Sequence, residues 1–215
     1  GFLNGYLTMR TGIPSFLITL GTFFILQGAN LGVTKLVTGS VSSPNISQMD
    51  GYESLNFIFA HEFKIGPISL SITVLWWLAF VILSAWILQR TKIGNWIFAV
   101  GGNAASARAV GVPVLRVKVG LFMTVAFLCW FTGMHYLYRF VTLQAGNGVG
   151  NEFLYIIAAV VGGTLLTGGY GNAWGFAFND STSAEIYTCT NSPALHAAWF
   201  KAFLGVMLLL AVMVN

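Results

Sequence analysis

Uncharged stretches of membrane-spanning length constrain the fold of this chain more than any other feature. About 20 mostly apolar helical residues are needed to cross a hydrocarbon core about 30 Å thick, because each residue rises about 1.5 Å. Four uncharged stretches meet that length, at residues 11–34, 65–89, 119–138 and 153–179. A fifth apolar stretch, residues 202–215, is shorter. These lengths predict a chain that crosses a membrane several times.

The composition supports the same environment, since 56% of the 215 residues are apolar and only 7% are charged. A soluble domain carries about 25% charged residues. Helix is the expected state of each span, because lipid cannot satisfy open backbone groups. A β-barrel would need strands of alternating polarity, and the stretch VLWWLAFVILSAWIL does not alternate. We predict an all-α, polytopic transmembrane helical bundle with about five to six spans, forming a single domain over residues 1–215.

Charge divides the loops between the two sides of the membrane. Residues 90–118 carry five cations and no carboxylate, whereas residues 35–64 carry three carboxylates against two lysines. Cytoplasmic loops are enriched in Lys and Arg, so the 90–118 loop is predicted to be cytoplasmic and the 35–64 loop external. Arg139 is an exception, because the order of the spans places it outside. No basic stripe with interleaved aromatic residues is present, and a nucleic-acid partner is therefore not expected.

The 90–118 loop contains the signals of a short helix. Asn103 can cap the start of a helix with its side chain, and residues 104–110, AASARAV, are rich in a strong helix former. Gly111 suits the position just past the helix end, where φ is positive, and Pro113 prevents continuation. The pattern predicts a helix of about two turns.

Gly101 and Gly102 precede this helix and are expected to let the chain turn just before it. A plain connecting loop is the alternative interpretation. A two-turn helix with little apolar surface is marginal in water, so it would need to dock against something to stay ordered. This favours a partner without identifying one.

Four separated segments resemble the permease subunits of ribose-type ABC importers. The resemblance covers about residues 1–175 and 199–215, and its segments are RTGIPSFLITLGTFFILQG, GNWIFAVGGNAASARAVGVPVLRVK, IIAAVVGGTLLTGGYGNAWG and WFKAFLGVMLLLAVMVN. It implies a second permease copy, two ATP-binding subunits on the cytoplasmic loops, and a periplasmic solute-binding protein that delivers a monosaccharide such as ribose. It also implies a multi-pass protein of the bacterial inner membrane that does not itself hydrolyse ATP. Another small solute, a signalling furanone or an amino acid, is the alternative cargo.

The resemblance also selects candidate site residues. Those that match the segment on which the ATPase docks in this family are Gly101, Gly102, Asn103, Ala104, Arg108, Gly111 and Pro113. No cofactor or metal is expected, and no residue is assigned to the substrate pathway.

Signals of catalysis are absent from the sequence. The glycine-rich stretch GGTLLTGGYGNAWG lacks the Gly-Lys-Ser/Thr ending of a phosphate loop, and close packing of helices is the preferred interpretation. His61, His135 and His196 are isolated and lack metal-ligand spacing. His135 could line an outer mouth, although an interfacial histidine is preferred. Glu152 could orient a polar substrate, although capping a helix start is preferred.

Residues 176–198, FAFNDSTSAEIYTCTNSPALHAA, depart from the apolar pattern of the family. A pair of compensating frameshifts is the hypothesis, and a diverged polar loop is the alternative. The chain starts at Gly1 rather than Met, which predicts an N-terminally incomplete chain and leaves a non-functional fragment as one alternative. An ion-coupled secondary transporter is another, but the centres of the two spans within residues 66–138 carry no charged residue.

Overall fold

The computed structural model describes residues 1–49, 51–65, 68–165 and 168–173, together with Gly205, Val206 and Leu209. The described chain is mostly helical. Its elements are α1 (Phe2–Thr11), α2 (Ser15–Thr38), a 3-10 turn (Ile46–Gln48), α3 (Tyr52–Phe59), β1 (Glu62–Ile65), β2 (Ile68–Ser71), α4 (Ile72–Arg90), α5 (Lys92–Gly102), α6 (Ala104–Ala109), α7 (Val114–Phe140) and α8 (Glu152–Val161). The predicted atypical segment, residues 176–198, lies outside the described residues.

Within the described part of the chain, three helices are long and apolar enough to cross a membrane. They are α2, α4 and α7, with 24, 19 and 27 residues. None of the most apolar window of α2 is buried within the chain, as expected for a helix that faces lipid or another chain. These helices confirm three of the predicted spans, while the predicted count of about five to six is not confirmed.

The second predicted span begins later than its uncharged stretch. The helix starts at Ile72 rather than at residue 65, because β1 and β2 form an antiparallel hairpin in which Phe63 lies opposite Leu70. The strands alternate polar and apolar residues (EFKI and ISLS), which is the period of a β-strand. The all-α prediction is therefore wrong at this hairpin, although the fold is mostly helical.

The fourth predicted span is not one continuous helix. α8 ends at Val161 after 10 residues, a length of about 15 Å that reaches halfway across a hydrocarbon core. Beyond it, Gly163, Gly168 and Gly169 adopt φ values between +84° and +88°. Positive φ is incompatible with a right-handed helix, so these glycines interrupt the expected span.

The chain divides into two compact units, of which the first comprises Gly1–Ala79 and Leu115–Asn147. Its core lies at the last turn of α7, where Tyr138 is buried together with Ile46 and Phe59 from the segment between α2 and β1. Phe59 stacks on Tyr138 with 5.5 Å between ring centroids. Segments that follow the two spans also pair, since the Ser43 N–H donates to the Leu143 carbonyl at 2.8 Å. This end of the unit is therefore fixed by both aromatic packing and backbone bonds.

The second unit comprises Phe80–Val114 and Gly148–Asn215. A one-residue turn at Thr91 joins α4 to α5, and Thr91 stabilises it by donating to the Ile87 carbonyl at 2.6 Å while accepting from the Gly94 N–H at 3.3 Å. Gly94 is buried, and a Cβ there would overlap the Leu88 carbonyl oxygen. Only glycine fits at this turn without displacing backbone. α5 then packs against α6.

Candidate functional site

The start of α6 is capped as the sequence predicts. Asn103 is extended, with φ −149° and ψ 103°, and its side-chain oxygen accepts from the N–H groups of Ala105 and Ser106, both at 3.0 Å. The first N–H groups of a helix have no partner within the helix. Asn103 satisfies two of them, so it sets where α6 begins.

The end of α6 is a Schellman motif. Gly111 has φ +86°, its N–H donates to the Arg108 carbonyl at 3.1 Å, and the Val112 N–H donates to the Ala107 carbonyl at 3.0 Å. α7 begins at Val114, directly after Pro113, whose ring is compatible with the entry to a helix but not with its interior. The predicted positive φ at Gly111 and the predicted stop before Pro113 are confirmed.

The two sides of α6 differ in exposure. Ala107 is only 3% exposed, on the side that packs within the unit, whereas Arg108 is exposed and Val110, at the helix end, is 80% exposed. Arg108 lies in the last turn, where a cation is favoured by the helix dipole. The outer surface of α6 thus offers one cation and one apolar side chain, held on a short helix with both ends capped.

Gly101 and Gly102 do not form the predicted turn. They are the last two residues of α5, and the turn falls at Asn103 itself. Gly101 instead meets the backbone of Gly168 and Gly169: a Cβ on Gly101 would lie 2.7 Å from the Gly169 nitrogen. We call these four glycines the glycine crossing. The glycine-rich stretch therefore does pack closely, but as a non-helical loop against the end of one helix rather than as two packed helices.

The remaining candidate residues lie outside this loop. Glu152 is the first residue of α8, where a carboxylate suits the helix dipole, but its side chain accepts from the Gly150 N–H at 2.7 Å, outside the helix, and no described side chain caps the start of α8. His135 pairs through Nε2 with the Thr73 hydroxyl, and its Nδ1 is buried without a hydrogen-bond partner within the described residues. His61 lies between the rings of Phe57 and Phe63, each centroid 4.8 Å away. His196 lies outside the described residues.

Sequence reasoning missed Gly94, Thr91 and the pairing partner of Gly101. A glycine inside an otherwise helical stretch usually has a packing reason, so Gly94 carried a usable signal. The partner of Gly101 carried none, because Gly168 and Gly169 are distant in sequence and nothing local records the contact.

We expect Asn103→Ala to destabilise α6 by about 1 kcal/mol, because two N–H groups lose their acceptor. Hydrogen exchange at the Ala105 and Ser106 amides should accelerate about fivefold, while exchange in the middle of α7 stays unchanged. Asn103→Asp keeps the acceptor oxygen and serves as the control. Equal exchange rates in the alanine variant and the parent would show that the cap does not hold this helix.

Three long apolar helices, with a doubly capped short helix between the second and third, define a multi-pass helical membrane protein. The family described as "Branched-chain amino acid transport system / permease component" matches residues 1–212, and the chain belongs to this family of permease components.

Relatives with known names agree with this assignment. The chain is 33% identical over 213 residues to the inner membrane ABC transporter permease protein YjfF of Escherichia coli (strain K12), covering 97% of this chain and 60% of that protein. It is 32% identical over 208 residues to the xylose/arabinose import permease protein XylH of Sulfolobus acidocaldarius, covering 95% and 53%. It is 26% identical over 217 residues to the ribose import permease protein RbsC of Escherichia coli (strain K12), covering 100% and 64%. The chain therefore spans less than two thirds of the length of these relatives. No solved structure matches it.

Proposed function

We propose that this chain belongs to the permease subunit of an ATP-driven importer that carries a monosaccharide across the bacterial inner membrane. The observation that carries the proposal is α6, a capped helix between two spans whose outer surface presents Arg108 and Val110. A helix of six residues has too few internal bonds to persist alone. Because both ends of α6 are capped and its outer surface is exposed, α6 is suited to bind a partner protein and to move with it.

The partners in this proposal are two ATP-binding subunits, a second permease copy and a periplasmic solute-binding protein. The ATP-binding subunits contact the outer surface of α6, and the permease itself does not hydrolyse ATP. ATP binding displaces α6, and the spans attached to it tilt between outward-open and inward-open arrangements. In this proposal two residues determine how well the movement of the ATP-binding subunit is transmitted to the spans. Arg108 contributes its charge, and Gly111 fixes the end of α6.

A sugar is the preferred cargo, because relatives named for xylose or arabinose import and for ribose import match nearly the whole chain. The family description names branched-chain amino acid transport, so an amino acid is the second candidate. In this proposal the present chain supplies about five to six spans. α8 and the apolar stretch 202–215 are the segments that would extend the count beyond the three long helices.

Uptake in proteoliposomes tests the proposal directly. The complete permease would be co-reconstituted with the ATP-binding subunit and the solute-binding protein encoded beside it. The solute-binding protein would first be screened against pentoses, hexoses and branched-chain amino acids by thermal shift. We expect a pentose or hexose to stabilise it, and uptake of that sugar to require ATP.

The control is an ATP-binding subunit that binds but cannot hydrolyse ATP, with which sugar uptake should fall to background. Uptake driven by a proton or sodium gradient without ATP would contradict the energy source. Stabilisation of the binding protein by amino acids alone would replace the proposed cargo.

A further inference from the structure

The glycine crossing brings two distant parts of the chain into direct backbone contact. A Cβ on Gly168 would lie 2.5 Å from the Gly101 carbonyl oxygen, and a Cβ on Gly169 would lie 3.0 Å from the Gly102 Cα. Real Cβ atoms essentially never approach to 2.5 Å and rarely to 3.0 Å, so the contact depends on the missing side chains of Gly101, Gly168 and Gly169, whereas Gly102 has room for a Cβ. Both halves lie within the second unit.

One half of the crossing is continuous with α6. Gly101 and Gly102 end α5, the next residue is the cap Asn103, and the Asn103 N–H still bonds to the Ala99 carbonyl of α5 at 3.1 Å. The Ala107 N–H of α6 bonds to the Asn103 carbonyl at 2.9 Å. A displacement of α6 therefore reaches the end of α5 through hydrogen-bonded backbone.

The other half is tied back to α8. Two backbone hydrogen bonds close this loop. The Gly168 N–H donates to the Leu165 carbonyl at 3.0 Å, and the Leu165 N–H donates to the Tyr170 carbonyl at 3.2 Å. The Thr164 N–H bonds to the Ala159 carbonyl of α8 at 3.2 Å. The loop that carries Gly168 and Gly169 is thus held to the end of α8.

We propose that the glycine crossing is the link that passes movement of α6 to α8, with Gly101 as its positioning residue. Contact between backbones has no rotamers to absorb a displacement, so a shift of one backbone must move the other. The inference rests on the proposed function and divides the predicted site residues: Arg108 and Gly111 lie on the part that meets the partner, whereas Gly101 acts through its contact with Gly168 and Gly169.

Gly101→Ala tests the link, since the residue is helical and, among the described residues, its Cβ would be too close only to the Gly169 nitrogen. In the reconstituted complex we expect solute transported per ATP hydrolysed to fall about fivefold, while the ATP-binding subunits still co-purify and hydrolyse ATP. Gly102→Ala should have a smaller effect, because its Cβ would lie 3.8 Å from the Gly169 Cα. Gly120→Ala, a helical glycine with no atom within 4 Å, is the neutral control. Equal transport per ATP in the Gly101 and Gly120 variants would overturn the inference.

A distance measurement decides the question even where Gly101→Ala fails to fold. Spin labels would be placed on Ala105 and Tyr170, both exposed, after Cys129 and Cys189 are replaced by serine. A shared movement requires the distance between the labels to stay constant within about 2 Å between nucleotide-free and ATP-bound complexes, the scale of small helix shifts. A larger change in a transporting complex would overturn the link. Absence of ATP-driven uptake in the parent complex would instead refute the proposed function.

Discussion

Replacing Arg108 by alanine and Gly111 by valine together will uncouple ATP hydrolysis from solute uptake while the permease still reaches the membrane. Arg108 supplies the exposed cation of α6, and Gly111 supplies the positive φ that ends it. A β-branched residue at φ +86° costs on the order of 1–3 kcal/mol in strain, and α6 can relieve that strain by giving up its Schellman bonds. We expect uptake to fall about tenfold with hydrolysis retained.

The matched control combines Arg116→Ala with Gly12→Val. Arg116 is an exposed cation of the same loop that lies in α7 rather than α6, and Gly12 is a left-handed glycine, with φ +68°, that ends α1. This double variant removes the same charge and adds the same kind of strain away from α6, so uptake should stay within about twofold of the parent. Unchanged uptake in the Arg108 and Gly111 variant would remove α6 as the coupling contact.

Gly94→Ala will lower the stability of the protein by about 3 kcal/mol, the upper part of the range for over-packed sites. The new Cβ would overlap the Leu88 carbonyl oxygen and approach the Ile87 carbonyl oxygen to 2.6 Å. Both are backbone atoms, which cannot rotate away as a side chain can. Relief requires the turn between α4 and α5 to open, and that breaks the hydrogen bonds of Thr91.

Thermal unfolding of the purified protein in detergent measures this effect. The midpoint should fall by roughly 6–12 °C for a chain of this size, with a lower yield from membranes. Gly133→Ala is the control, because it is also helical and its Cβ would meet no atom within 4 Å. A midpoint equal to that of the control variant would show that the turn at Thr91 tolerates a side chain at Gly94.

Helix caps and stops could be predicted from the sequence because their causes are local. Asn103 accepts hydrogen bonds from N–H groups two and three residues away, and Gly111 adopts its positive φ because it has no side chain. The same holds for the spans α2, α4 and α7, whose length follows from bilayer thickness. Such features depend on a few neighbouring residues or on the solvent.

The ends of the helices were less well predicted, because the length of an uncharged stretch locates a helix end only to the nearest charged residue. Lys64 is the last charge before α4, and the strand β2 occupies the interval before Ile72. The alternation of EFKI and ISLS carried the missing signal. The end of α8 was missed for a related reason, since an uncharged stretch does not reveal that Gly163 takes a positive φ.

By itself the sequence determined that this chain crosses a membrane, which loop is cationic, and that the loop holds a capped helix, because solvent, charge and local bonding act over short chain distances. Only the tertiary structure decided what Gly101 does. The sequence alone suggested a turn, whereas the fold places Gly101 against Gly168 and Gly169. Contacts between distant glycines leave no trace in local pattern, because the residues have no side chains to signal them and meet only after the chain has folded.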